Sequence, residues 1–374
     1  MSIGSSSRVL LGLPRKSVTL WSGGVPTLSL PKPQGKFKRF RAELMSHSHT
    51  LAPLNTRKRD ILDGMGTWGG HMSLEYEASL KHGAPVPKIE ISAIGHCSDQ
   101  GKRPSLEDRF VIEQLTPEVL LCAVFDGHGG QDCAVFCAAH FSNHVKFWLD
   151  RDQDLENVLV ESFLGINNGF SKSVVFSTRF KEEETSSGST ATIALLRRGT
   201  ELVIGHVGDS YATLSRNGEA QKLTVDHVPS LTSEKKRIEE SGGRVTTDSL
   251  GRPLVNARLA MTRSLGDTEL KHNGVIALPY TRTIQVRHGK DNFLYLSTDG
   301  IHDVMRNQEI CDVIGNCSDA FEAAHSVVQQ AMSFNAQDNL TIVIVPFGSW
   351  GQGSRSSSIF YSFGRSFTMS SRYG

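Results

Sequence analysis

The chain has 374 residues, 38% of them hydrophobic, and a formal net charge of +1, which is material for one large core or two ordinary ones. No run approaches the roughly 18 apolar residues of a membrane-spanning helix, so a soluble body without membrane contact is expected. The charge is uneven: residues 1–42 hold eight Lys/Arg and no acid, the stretch from Gly348 holds three arginines and no acid, and 43–347 keeps 29 Lys/Arg against 39 Asp/Glu, a net of −10, which argues against nucleic acid as the body's partner.

The leader, 1–45, is rich in Ser, Arg and Lys and carries short apolar pieces, RVLLGL and SVTLW. This composition matches a cleavable mitochondrial transit peptide. Pro14, Arg15 and Lys16 interrupt the apolar stretch too early for a secretory signal, and a disordered basic tail is the alternative. Residues 46–88 read as a weakly ordered linker, with recurring Pro and Gly and poor periodicity.

The texture changes at Ile89, and 89–347 reads as one domain. KIEISAIGHCSDQG alternates as a strand does, and EVLLCAVF reads as a buried strand. DCAVFCAAHFSNHVKFWL and LENVLVESFLGINNGF have helical apolar spacing. STATIALLRRGTELVIGHVGDSYATLSRNGEAQKL reads as a meander of strands turning at Arg198-Gly199 and Asn217-Gly218. DNFLYLSTDG and NLTIVIVPF complete the strands. SDAFEAAHSVVQQAMSF predicts a helix capped by Ser318 with Phe321, Ala324, Val328 and Met332 on one face. Hairpin-linked strands with helices in groups indicate an α+β fold with antiparallel sheets. The tail, 348–374, is dense in Ser and Gly; its aromatics Phe360, Tyr361, Phe363 and Phe367 leave two readings open, a flexible end or a docked one.

Six cysteines (Cys97, Cys122, Cys133, Cys137, Cys311, Cys317) include no C-x-x-C pair, so neither a zinc ribbon nor a thioredoxin-type site is expected. His140 and His144 stand one helical turn apart without the glutamate of a zinc protease, and are read as ordinary surface or core histidines. No glycine-rich stretch matches a nucleotide-binding loop.

What stands out is acid at the ends of apolar strands. Asp126 ends LLCAVF, Asp209 ends VIGHV, Asp299 ends FLYLST with Asp303 four residues on, Asp338 precedes LTIVIV, and Glu107 and Asp108 precede RFVI. One Asp-Gly alone is an ordinary turn. Repeated at several strand mouths, it predicts repelling carboxylates that a hard divalent cation, Mg²⁺ or Mn²⁺, would bind.

Taken in order, GKRPSLEDRF, FDGHGG, SGSTATIALL, VGDS, DHVPSLTSEKKRIEESGGRV, RLAMTRSLGD, STDGIHDVM and DNLTIVIV resemble the metal-dependent Ser/Thr protein phosphatases of type 2C over about 92–347. The resemblance implies a four-layer αββα sandwich with two central antiparallel β-sheets flanked by helices. It implies two Mg²⁺ or Mn²⁺ ions and a weaker third. Asp126 would bridge the two, Asp299 and Asp338 would complete the shell of the first ion, the Gly127 carbonyl would touch the second ion, and Glu107 would hold its waters with Asp108 in support. Asp209 and Asp303 match the third site, and Arg103 would grip the substrate phosphate. In this chemistry a water held between the ions attacks phosphorus in line, and His128 protonates the leaving oxygen.

The leader, several segments and the tail GRSFTMSSRYG further resemble the mitochondrial matrix branch of that family. This implies an enzyme acting on a phosphoprotein, the E1α subunit of the branched-chain α-ketoacid dehydrogenase complex; a monomer is expected. The alternatives are a cytosolic or nuclear phosphatase of the same family and a catalytically silent adaptor. Two residues depart from the family pattern. Tyr211 stands where Arg is usual, which would remove a salt bridge near the sheet edge. Ala257 stands where Gly is common, which would alter the flap.

Overall fold

A computed structural model describes residues 88–177 and 186–350. The leader 1–45, nearly all of the 46–88 linker and the tail aromatics lie outside the described residues. In chain order the strands and helices are β1 (Gly95–Asp99), β2 (Arg109–Thr116), β3 (Val119–Phe125), β4 (Gly127–His128), α1 (Asp132–Leu149), α2 (Leu155–Ser177), β5 (Gly188–Ser189), β6 (Ala191–Arg197), β7 (Glu201–Val207), β8 (Tyr211–Arg216), β9 (Glu219–Lys222), α3 (Thr232–Glu240), β10 (Val245–Thr247), β11 (Pro253–Val255), β12 (Leu265–Gly266), β13 (Tyr280–Gln285), β14 (Asp291–Ser297), α4 (Asp299–His302), α5 (Asn307–Gly315), α6 (Ala320–Ser333) and β15 (Leu340–Pro346).

Two five-stranded antiparallel sheets carry the fold, one in the order β1-β15-β14-β8-β9 and the other β13-β7-β6-β3-β2. Alternation along β3 shows how they stack. Leu121, Ala123 and Phe125 pack with Phe141 of α1 and Phe163 of α2, while Leu120, Cys122 and Val124 join Leu294, Val343 and Val345 of the other sheet. On β15, Ile342 and Ile344 turn the opposite way, onto Ile310 of α5 and Val327 of α6. Each sheet therefore has one face on its partner sheet and one face on helices, the expected αββα layering. A strand covered on both sides loses its hydrophobic-polar alternation, which is why VLLCAVF is apolar throughout and wholly buried.

Three expectations need correction. The first strand begins only at Gly95, because Ile91–Ala93 form a 3-10 turn. The meander is two hairpins in different sheets: β6-β7 lies in one and β8-β9 in the other, with the chain crossing between them at Gly208–Ser210. Both tight turns are where they were expected, with Arg198, Gly199, Asn217 and Gly218 all at positive φ. Helix α6 is capped by Asp319, whose side chain accepts from the N–H groups of Phe321 and Glu322 at 2.9 and 2.8 Å. Of the expected face, Ala324 and Val328 are buried, together with Ala320, Ala323, Val327 and Ala331, while Phe321 and Met332 are exposed.

Two smaller elements complete the body. A ribbon of two-residue strands runs β12-β5-β4, and residues of α3, β11 and the following loop bury Ile238, Val255, Leu259, Met261, Leu270 and Val275 in a separate small core.

Candidate active site

The ends of β3, β7 and β14 and the starts of β2 and β15 lie at one edge of the sandwich, and each brings an acid there. Asp126 leaves β3 with its backbone tied at both ends to Thr190: its N–H donates to Thr190 Oγ1 at 3.1 Å, and its carbonyl accepts from the Thr190 N–H at 2.9 Å. The Thr190 hydroxyl in turn bonds Ser210 Oγ at 2.7 Å, so the exits of β3 and β7 are stitched together and Asp209 stands beside Asp126. Asp299 opens α4 directly after β14, and Asp303 follows one turn later, its N–H donating to the Asp299 carbonyl at 2.9 Å.

Asp126 and Asp299 come within hydrogen-bonding reach of each other across the two sheets. Burial, followed by the facing charges of Asp299, Asp108 and Asp209, holds the Asp126 carboxyl well above the usual range. Burial and then Asp209, Asp303 and Asp338 do the same to Asp299. Asp209 is pushed up to about 6 by burial and by Asp226, and its Oδ1 is buried without a hydrogen-bond partner among the described residues. Asp108, 2% exposed, is likewise pushed up to about 6 by burial, although Thr298 Oγ1 donates to its Oδ2 at 2.9 Å.

Asp338 meets a cation directly: Arg103 Nη2 donates to its Oδ2 at 2.5 Å. The next residue, Asn339, holds the loop that carries Arg103. Its Oδ1 accepts from the Glu107 N–H at 2.8 Å, and its Nδ2 donates to the carbonyls of Gln100 and Ser105 at 2.8 and 3.0 Å. The Glu107 carboxylate turns elsewhere, accepting from the Gly130 N–H at 3.2 Å and the Ser105 hydroxyl at 3.0 Å. Gly127 is required by close approach, since a Cβ there would lie 2.6 Å from the Glu107 carbonyl oxygen.

His128 lies in the short ribbon, paired with Gly188, and Gly266 of β12 pairs with the same glycine from the other side. This brings Asp267, a residue not singled out in the sequence, to His128: Nε2 and Oδ2 are 2.9 Å apart. Burial disfavours a charged imidazole, but Asp267 more than offsets it and raises the His128 pKa. No local signal marks Asp267, since Thr262-Arg263-Ser264-Leu265-Gly266 before it is not an apolar run.

The donor set suits a hard cation: several carboxylates, no thiol and no imidazole at its centre, and one buried carboxylate oxygen lacking a partner. Among the described residues no group of three or more His, Cys, Asp or Glu side chains is disposed to hold a metal ion. The other histidines behave as read from sequence: His140 packs on Phe136 at 4.5 Å, and His144 lies over Gly165. Tyr211 stacks on His302 at 3.5 Å, and Lys222 lies over its ring at 3.8 Å while pairing with Asp226 at 2.6 Å. Ala257 has φ 57°, the left-handed region in which glycine is at ease.

A protein-family model described as Protein phosphatase 2C matches residues 92–340. The chain is 45% identical over 313 residues to "Protein phosphatase 1K, mitochondrial" of Xenopus laevis, covering 83% of this chain and 83% of that protein. It is 32% identical over 232 residues to "Protein phosphatase 2C homolog 1" of Saccharomyces cerevisiae, covering 60% and 80%. Among solved structures, the serine-threonine phosphatase 2C of Toxoplasma gondii superposes with a TM-score of 0.62 at 23% identity over 70% of this chain and 98% of that one, a likeness of fold.

Proposed function

Since this chain belongs to the protein phosphatase 2C family, we propose that it is a Mg²⁺- or Mn²⁺-dependent serine/threonine phosphatase of the mitochondrial matrix, with 1–45 as its transit peptide and 89–347 as its catalytic domain. The observation that carries the metal-dependent reading is the meeting of Asp126 and Asp299 from opposite sheets, with Asp209, Asp108 and Asp338 close enough to raise their pKa values. Carboxylates so crowded gain from a divalent cation what they lose to one another.

Asp126, Asp299 and Asp338 would hold the first ion, Asp126 and the Gly127 carbonyl the second, with Glu107 near its waters; Asp209 and Asp303 would form the weaker third site. When bound, the ions supply Lewis-acid neutralisation of phosphate charge and a water acidic enough to attack near neutral pH. Arg103 turns its guanidinium from Asp338 to the equatorial phosphate oxygens, for which a planar bidentate donor is suited. Asp108, held by Thr298, supports the acids in front of it. His128 gives the proton that the departing seryl or threonyl oxygen needs, a role its elevated pKa favours.

The substrate reading rests on the resemblance of leader and tail to the matrix branch, and the relative named as mitochondrial supports the address. It names the phosphorylated E1α subunit of the branched-chain α-ketoacid dehydrogenase complex. The test is hydrolysis of that phosphoprotein and of p-nitrophenyl phosphate with added Mn²⁺. Activity on both, abolished by EDTA and preferring E1α over a pyruvate dehydrogenase phosphopeptide, is expected. Absence of chelator-sensitive activity would favour a silent adaptor, and a diffuse cytosolic signal from residues 1–45 fused to a fluorescent protein would remove the mitochondrial address.

A further inference from the structure

Asp267 has an arrangement that structural packing alone does not require. It sits at φ 45°, in the left-handed region, at the end of the β12 ribbon, and only 5% of its surface is exposed. One of its oxygens, Oδ2, gathers two partners: His128 Nε2 at 2.9 Å and the Ser264 hydroxyl at 2.5 Å. Behind them the half-buried Lys271 donates to the Ser264 carbonyl at 2.7 Å, placing an ammonium next to the carboxylate. Burial lowers this lysine to about 8, while Asp267 pulls it back toward the charged form. Room for the pair comes from Gly188, where a Cβ would lie 2.3 Å from both His128 Nε2 and Asp267 Oδ2. The second ring nitrogen, His128 Nδ1, is buried with no hydrogen-bond partner among the described residues.

We propose that Asp267 is a positioning residue for the hydrolysis: by accepting the Nε2 proton of His128 it fixes the ring so that Nδ1 is the nitrogen serving the leaving oxygen. The inference rests on the phosphatase reading given above and on His128 as its proton donor. In the step, a water oxygen bonds to phosphorus and gives its proton to solvent. The bond from phosphorus to the seryl oxygen breaks with its electron pair on that oxygen, which takes the Nδ1 proton of the imidazolium. The ring is left neutral, its remaining proton on Nε2 and held by Asp267. The geometry parallels an aspartate that orients a catalytic imidazole through one nitrogen and leaves the other to react.

A proton donor matters only when the leaving group needs a proton, so leaving-group dependence separates this role from a structural one. The experiment uses the full chain with Mn²⁺ and compares p-nitrophenyl phosphate, whose leaving group departs unaided, with phenyl phosphate and a phosphoseryl peptide. Asp267→Asn is expected to lower kcat on the peptide by about 10²–10³-fold, with less than about threefold loss on p-nitrophenyl phosphate and little change in KM. His128→Gln should show the same pattern, and the double variant should be no worse than His128→Gln. Equal losses on all three substrates, or multiplicative losses in the double variant, would overturn the proposal. If His128→Gln itself shows no leaving-group dependence, the proton-donor assignment fails; if it does and Asp267→Asn does not, only the present inference fails. Should Asp267→Asn not fold, the wild-type long-range ¹H–¹⁵N spectrum decides: neutral His128 should carry its proton on Nε2, and a proton on Nδ1 would refute the assignment.

Discussion

Two regions of this molecule bury carboxylates, and they do so in opposite ways. Glu234, on α3 and 1% exposed, receives the two terminal guanidinium nitrogens of Arg237, each at 2.7 Å, Arg263 Nη2 at 2.6 Å and the Thr262 hydroxyl at 2.6 Å. Burial alone would raise its pKa, but the two arginines overwhelm that and hold it far below the usual range. At the strand mouths, burial and then further acids raise all three of Asp126, Asp299 and Asp209: Asp126 and Asp299 face each other and Asp209, while Asp209 faces Asp226. The first cluster is complete and serves as structure, tying α3 to the loop around Thr262. The second is left with excess negative charge, which a bound cation would offset.

The largest effect expected from breaking this contrast is catalytic. Asp126→Asn should reduce kcat by at least about 10³-fold, as loss of a charge-stabilising group does. In chelator the same variant should be more stable than wild type by about 1–2 kcal/mol, since a group whose folded pKa is raised costs stability once pH exceeds its unfolded value. Urea denaturation with and without EDTA measures this, and a destabilised variant would mean that the carboxylates are not repelling.

Glu234→Gln should do the reverse. It leaves two buried guanidinium groups short of their counter-charge and should cost about 3–5 kcal/mol, while kcat per folded molecule stays within about twofold because nothing at the strand mouths is touched. Comparable loss of kcat would erase the distinction between the regions.

Next in size is a pH effect from a neutral buried pair. His206 and His227 stack at 5.0 Å around Gly208, which precedes Asp209: His206 Nε2 bonds the Gly208 carbonyl at 3.0 Å, and the Gly208 N–H donates to His227 Nδ1 at 3.2 Å. Burial lowers His206 to about 3 and His227 well below 6.5. A depressed folded pKa contributes stability that is present above the unfolded value and lost as pH falls below it. From pH 6.5 to pH 5 each should therefore withdraw roughly 2 kcal/mol. The acids of the strand mouths act with the opposite sign over the same range, so His206→Gln should flatten the fall, and Asp126→Asn should steepen it.

The smallest effect concerns the segment after β11. Ala257→Gly relieves a left-handed alanine and should stabilise by about 0.5–1 kcal/mol. A loss of stability in thermal denaturation would mean that the alanine methyl is packed to advantage.

How much of this was legible beforehand follows from where the information lies. Asp126, Asp209, Asp299 and Asp338 could be read because an acid abruptly ends or begins an apolar run, a purely local signal. The αββα layering could be read from the strand patterns and the family resemblance together. The crossing at Gly208–Ser210 could not, because periodicity along β7 and β8 says nothing about which sheet each joins. The face of α6 was half read: Ala324 and Val328 are buried, but the large apolar Phe321 and Met332 were placed inward in preference to the small Ala320, Ala323 and Ala331 that face the core. Asp267 was passed over because its partner, His128, is brought to it only by a ribbon of two-residue strands too short to leave a pattern.

The Arg103–Asp338 contact has a further consequence. The guanidinium proposed to grip the phosphate is already engaged to an acid of the proposed metal-holding set, and Asn339, next to Asp338, holds the loop that carries it. On that proposal, whatever neutralises Asp338 releases Arg103, so affinity for the dication and affinity for the phosphorylated substrate should rise together, each by the same factor in the other's presence. Inorganic phosphate should then bind in proportion to Mn²⁺, and a lysine at position 103, with no fork to share between two partners, should uncouple them.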